Sequence, residues 1–241
     1  MHTISQGMIF AAGLGTRFKP WTDQHPKALA VINGKSLLQR NIEFLQQAGI
    51  FQVVINVHHF ADQVLKALQD NDGWGSKVLI SDETDALLET GGGLKKAAPL
   101  FEPTPLVVIN SDILTDLDLG AMIRFHIKEA PLATLAITNR VTSRYFLFDE
   151  ENNLCGWRNT STGEEKISRS VDTLVPKAFS GVHIISPELL PMIRQEGKFS
   201  MVDVYLELAK TNSIKGYDHS YSKFIDVGKP EALAQAEALF P

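Results

Sequence analysis

Cysteine is nearly absent from this chain. Cys155 is the one cysteine in 241 residues, which excludes an internal disulfide framework and any cysteine-rich zinc site. An excess of one charge is missing too, since 23 basic side chains face 28 acidic ones for a formal net charge of −5. That balance argues against nucleic-acid or anionic-membrane binding driven by global charge. No apolar run reaches the roughly 18 residues a membrane helix needs. The first residues, Met1 to Gly7, carry no basic region leading into an apolar stretch, so a cytoplasmic protein without a leader is expected. Repeats, low-complexity tracts and linker-like composition shifts are also lacking. What remains, 44% hydrophobic and 21% charged, suits one domain with a sizeable core.

Short apolar runs alternate with helix-period segments through the first 140 residues. Residues 8–12 read as a strand, followed by a glycine loop. Ser36 opens a helix with Leu38, Ile42, Leu45 and Ala48 on one face, and Gly49 ends it. Val53–Val57 reads as a strand and Phe60, Val64, Leu65 and Leu68 as a helical stripe. Val78–Ile80, Leu106–Ile109 and Leu132–Ile137 read as further strands, with a helix through Leu119, Met122 and Ile123 before the last. This rhythm predicts an α/β, Rossmann-like fold: a mainly parallel, partly mixed sheet with helices on both faces. Beyond it, Tyr145–Phe148 and Leu154–Trp157 flank the polar turn Asp149–Asn153 as an antiparallel hairpin. Residues 158–177 lack periodicity and are expected to form a mobile loop. A strand at Ala178–Ile185, helices near 187–194 and 200–211, and a last helix after Pro230 complete the expectation of one domain, 1–241, with a small lobe near 140–178.

The strongest local signal is Ala11-Ala12-Gly13-Leu14-Gly15-Thr16-Arg17, directly after the first strand. Glycines at 13 and 15 let backbone N–H groups approach an anion. Thr16 adds a hydroxyl and Arg17 a planar fork matched to phosphate. A dinucleotide motif would need a third glycine where Phe18 stands, and a Walker A loop would need Gly-Lys-Ser/Thr. A plain strand-to-helix turn is the bland alternative. Ten residues on, Pro26 stiffens the loop that carries Lys27, so the two cations following one glycine loop point to polyphosphate. Gly91 and Gly92, in Glu89-Thr-Gly-Gly-Gly93, stand at an expected helix start whose unpaired N–H groups suit contact with a base or sugar. Asp112, in Asn110-Ser-Asp112, and Asp226, in Phe224-Ile-Asp226, each follow an apolar stretch at a strand's C-terminal end, where open α/β sheets bind ligands. Together they suit one Mg²⁺ bridged to phosphate oxygens. The histidines suggest no zinc site, because His58 and His59, the close pair, point opposite ways on extended chain. Cys155 reads as a packed thiol, and Asn159-Thr-Ser161 as a glycosylation sequon without significance.

In these motifs the chain resembles the sugar-1-phosphate nucleotidyltransferases. The matches are the segment 11–27, Glu89–Gly93, Asn110–Asp112, Phe179-Ser180-Gly181 and Ile225–Gly228, in the family's order and across nearly the whole chain. The resemblance implies a Mg²⁺-dependent enzyme that joins a nucleoside triphosphate to a sugar 1-phosphate and releases pyrophosphate. It implies Arg17, Lys27 and Asp112 as catalytic residues, residues 11–16, Gly91, Gly92 and Asn110 on the nucleotide, and Asp112 with Asp226 on the metal. The short length and the triple glycine resemble the branch that uses UTP and N-acetylmuramate 1-phosphate, which implies a cell-wall recycling role. Mannose-1-phosphate guanylyltransferases are the nearest rival. Arg158-Asn159 stand where many relatives carry a Glu-Lys pair that reaches the sugar phosphate. The acceptor is therefore expected at Arg158, Arg144, Tyr145, Ser180 and Gly181, unless the arginines are simply solvated charges on a hairpin. A monomer or small homo-oligomer is expected. A silent nucleotide-sugar sensor on the same fold is the alternative from another class, and would be expected to have lost Arg17, Lys27 or one aspartate.

Overall fold

The structure, a computed structural model, describes residues 4–241; Met1–Thr3, part of the segment read for a leader, lie outside them. The chain runs β1 (Gln6–Phe10), β2 (Val31–Ile32), β3 (Lys35–Ser36), α1 (Leu37–Gln47), β4 (Gln52–Val57), α2 (Ala61–Asp70), β5 (Lys77–Asp82), α3 (Glu89–Ala97), β6 (Leu106–Asn110), β7 (Ile113–Thr115), α4 (Leu119–Glu129) and β8 (Ala133–Thr138). It continues with β9 (Arg144–Phe148), β10 (Leu154–Asn159), β11 (Glu164–Ile167), β12 (Val175–Ile185), α5 (Met201–Leu208), β13 (Ile214–Asp218), β14 (Phe224–Asp226) and α6 (Ala232–Leu239).

Ten strands form one sheet, with β5, β4, β1 and β6 parallel. β12 then pairs antiparallel with β6, β8 and β9, and β13 lies parallel to β8. Both faces are covered, as the near-continuous apolar runs of β1 and β6 require. Ile9, Val107 and Ile109 pack under α1, α2 and α4, whereas Met8, Phe10, Leu106 and Val108 pack under α3 and α5. Ser36 caps α1 through Oγ, which accepts from the Gln39 N–H at 3.1 Å. Two small pairs, β7–β14 and β2–β3, lie outside the main sheet, and α6 packs over them with Ala236 against Ile225 and Leu37.

Two expectations are corrected. The segment 158–177 is partly sheet: β10 runs to Asn159, β11 pairs with it antiparallel, and β12 opens at Val175, with turns and irregular chain between them. β11 is exposed along its whole length, so no apolar alternation marked it. Backbone pairing and ion pairs such as Arg158–Glu165, at 2.5 Å, hold this edge. The helix expected near 187–194 is a 3₁₀ segment, Pro187–Met192, because Pro191 removes an N–H donor from its interior. The strands of the small lobe are hydrogen-bonded through the first half of β12 into the main sheet.

Candidate active site

The C-terminal ends of β1, β4 and β6 open into a cleft of about 390 Å³. The glycine loop forms one wall, Asn110, Ser111 and Asp112 another, and Glu83, Glu89 and Thr90 the far side. Gly15 sits at φ 60°, and a Cβ there would meet Thr22 at 2.8 Å and the Lys27 stem at 3.1 Å. Its carbonyl accepts from the Thr22 hydroxyl at 2.9 Å and from the Phe18 N–H at 2.7 Å. The loop is thereby locked against the segment that delivers Lys27.

Lys27 Nζ lies 2.5 Å from Asp112 Oδ2 in a half-buried ion pair. Asp112 reaches Asp226 through the β7–β14 pair: the Val227 N–H donates to the Asp112 carbonyl at 2.8 Å, and Asp226 stands opposite Ile113. The Asp226 carboxyl is held above its ordinary range, first by lost hydration and then by the Asp112 charge, with Lys27, Arg17 and Arg140 opposing. A Cβ on Gly228 would strike Asp226 Oδ1 at 2.8 Å and Arg17 Nη2 at 3.2 Å. This glycine therefore makes room for the guanidinium beside the second aspartate. Four groups far apart in sequence, Arg17, Lys27, Asp112 and Asp226, are gathered in one place.

Other expected residues sit differently. Ala11 and Ala12 line the cleft beside Gly13, Leu14, Gly15 and Thr16 but are almost fully buried, and the Ala11 N–H is taken by Asn56 Oδ1 at 2.7 Å. Gly91 and Gly92 do not line it. Their N–H groups donate to the Phe199 carbonyl at 2.9 and 3.3 Å, so the unpaired amides expected at this helix start are already engaged. Their missing side chains serve packing, because a Cβ on Gly92 would fall 2.2 Å from the Gly197 carbonyl oxygen. Asn110 does line the cleft and lies against Gly181, whose φ of 72° and contact of 2.8 Å with Asn110 Nδ2 exclude a side chain. Ser180 is buried, its hydroxyl 2.7 Å from His219 Nε2. Tyr145 accepts the Thr142 N–H at 3.0 Å through its hydroxyl. Arg144 is exposed, and the Arg158 Nε donates to Glu165; neither lines the cleft.

The sequence reading missed a buried pair behind the loop. Glu83 is fully buried, and its Oε1 accepts from Asn56 Nδ2 at 2.7 Å while Asn56 in turn holds Ala11. Burial raises the Glu83 carboxyl above its usual range. A Cβ on Gly93 would come within 2.7 Å of this carboxylate, which accounts for the third glycine. No short motif marks such a relay, because its members come from β4, the end of β5 and β1. Arg140, just past β8, was missed for the same reason.

A family model described as nucleotidyl transferase matches residues 6–146. The chain belongs to this nucleotidyltransferase family and is an enzyme of the sugar-1-phosphate nucleotidyltransferase class. It is 29% identical over 234 residues, 97% of each chain, to the N-acetylmuramate alpha-1-phosphate uridylyltransferase of Neisseria meningitidis serogroup B. It is 32% identical over 238 residues to the protein of that name from Caulobacter vibrioides, covering 96% of this chain and 95% of the other. Among solved structures, HddC from Yersinia pseudotuberculosis complexed with GMP-PN is 25% identical, with a TM-score of 0.78 and coverage of 99% and 100%.

Proposed function

We propose that this enzyme transfers uridylyl from UTP to N-acetylmuramate 1-phosphate. The observation that carries the reading is the junction of Lys27, Asp112 and Asp226 beside the glycine loop, in a chain matched end to end by two uridylyltransferases of that acceptor. A phosphate oxygen of the sugar 1-phosphate attacks the α-phosphorus, the bond to the β-phosphate oxygen breaks, and pyrophosphate leaves with that electron pair. The nucleophile is already an anion, so positioning and charge neutralisation supply the catalysis. Gly13, Gly15 and Thr16 bind the phosphates, and Arg17 and Lys27 oppose the charge that grows on the leaving group.

Asp112 and Asp226 fit Mg²⁺. Two carboxylate oxygens are hard donors, and among the described residues no group of three or more His, Cys, Asp and Glu side chains forms a full cage. Mg²⁺ is ordinarily held by one or two carboxylates plus substrate phosphates and water. When bound, the ion supplies charge neutralisation between the two phosphates. Pyrophosphate release assayed across UTP, GTP, CTP and TTP with N-acetylmuramate, N-acetylglucosamine, mannose and glucose 1-phosphates tests the reading. UTP with N-acetylmuramate 1-phosphate should give the highest kcat/KM; a preference for GTP with mannose 1-phosphate would replace it.

A further inference from the structure

Arg140 makes no close ion pair: the anion that acts on it is Asp226, the same carboxylate that Arg17 and Lys27 already oppose. Its Nη2 donates to the Phe179 carbonyl at 2.9 Å, and its guanidinium carbon lies 5.0 Å from the centre of the Phe224 ring. Nε is buried with no hydrogen-bond partner, and none of the ion pairs among the described residues involves Arg140. Two neighbours are in the same condition: Thr138 Oγ1 and His219 Nδ1 are also buried without a partner. His219 is tied to this edge by its N–H, which donates to the Ile137 carbonyl at 3.0 Å, and by Ser180. Thus three of the four buried unpartnered side-chain atoms among the described residues fall at the ends of β8 and β13. Both strands end at the same edge of the sheet as β1 and β6.

Withdrawing a cation from water without an anion in direct contact is costly, and buried polar groups are ordinarily paired. A site that keeps such a cation half-buried is complete only when a ligand brings the anion. The triphosphate already has the glycine loop, Arg17 and Lys27. The remaining anion is the acceptor's. We propose that Arg140 receives an oxyanion of the acceptor sugar, either its 1-phosphate or a carboxylate on the sugar. This rests on the acceptor being a sugar 1-phosphate in the cleft described above. Arg140 takes the part that the family resemblance gave to Arg158, whose guanidinium is on Glu165.

Wild type, Arg140→Gln and Arg140→Lys are compared by steady-state kinetics with N-acetylmuramate 1-phosphate and with N-acetylglucosamine 1-phosphate, which lacks the carboxylate. Binding of each sugar phosphate is also titrated directly in the presence of a non-hydrolysable UTP analogue. Loss of a bidentate, charge-assisted contact should raise the acceptor KM and Kd on the order of tenfold or more and leave the UTP KM within about twofold. An equal loss for both sugars assigns the phosphate, and a loss confined to N-acetylmuramate 1-phosphate assigns the carboxylate. Lysine keeps the charge but not the planar fork, so it should still weaken the acceptor severalfold and decides the matter if the glutamine variant does not fold. Unchanged acceptor constants in a folded variant would overturn the proposal. So would UTP and acceptor constants rising together, the pattern of a strut between Phe179 and Phe224. A wild type that ignores both N-acetyl sugars and uses mannose 1-phosphate would overturn the acceptor assignment above, and Arg140 is then judged by the same shift with that sugar.

Discussion

Asp112 faces Lys27 on one side and Asp226 on the other, so its carboxylate is shared between a fixed ammonium and the metal that the paired acids suit. Asp112→Asn and Asp226→Asn are each expected to abolish Mg²⁺-dependent turnover while the folded structure persists, because an amide is a far poorer Mg²⁺ ligand than a carboxylate. Near wild-type rates at saturating Mg²⁺ would remove that residue from the metal. Lys27→Ala should lower kcat more than it raises the UTP KM, since the charge that Lys27 opposes grows as the bond to pyrophosphate breaks. A KM effect alone, with kcat intact, would make it a ground-state binding residue.

Glycines decide how two elements meet the cleft, in opposite ways. In α3 the backbone itself is the packing surface: Gly91 would meet the Phe199 ring at 2.4 Å and Gly92 the Gly197 carbonyl at 2.2 Å if either carried a Cβ. Gly92→Ala should therefore destabilise the fold by about 1–3 kcal/mol or more, because a backbone carbonyl cannot move aside as a side chain does. Gly13 has nothing within 4 Å of its would-be Cβ and faces the cleft. Gly13→Ala should leave the unfolding temperature unchanged and raise the UTP KM. Thermal unfolding and nucleotide kinetics on the two variants separate the roles, and the reverse pattern would show that the triplet, not the loop, meets the nucleotide.

Three buried histidines are expected to contribute to the response of the whole molecule to acid. His126 lies against Thr134 and Ser186, His183 against Tyr205, and His219 against Ser180. Burial pushes their pKa values down to about 4, about 3 and about 4. Each is neutral when folded and takes a proton near its ordinary value of 6.5 when unfolded. The unfolded chain thus binds more protons between the folded and unfolded values, so stability is complete above about pH 6.5 and falls as pH drops toward 4. Each histidine contributes on the order of 2–3 kcal/mol to that loss at most. Urea unfolding between pH 7 and 4 should show proton uptake, and His126→Gln should flatten the curve; an unchanged slope would place the acid sensitivity elsewhere.

Periodicity in β1, α1, β4 and β6 was readable because these elements are short and apolar on most buried positions, Gln6, Asn41 and Asn56 excepted, and hydrophobic burial follows the side-chain period. The glycine loop, Lys27 and the two aspartates could be picked out as one candidate site because each chemistry needs its residue type within a few positions of a strand end. β11 was not, since its exposed residues are held by backbone pairing, which leaves no mark on side-chain type. The partners of the glycine triplet, the Glu83–Asn56–Ala11 relay and the setting of Arg140 were settled only by tertiary structure. Each joins residues brought together by strand order and crossover, where distance along the chain carries no information about distance in space. The sequence alone determined which chemical groups the site would have. The packed sheet decided which of them are free to meet a ligand, because a backbone N–H already bonded, as at Ala11 or Gly91, has no second bond to offer.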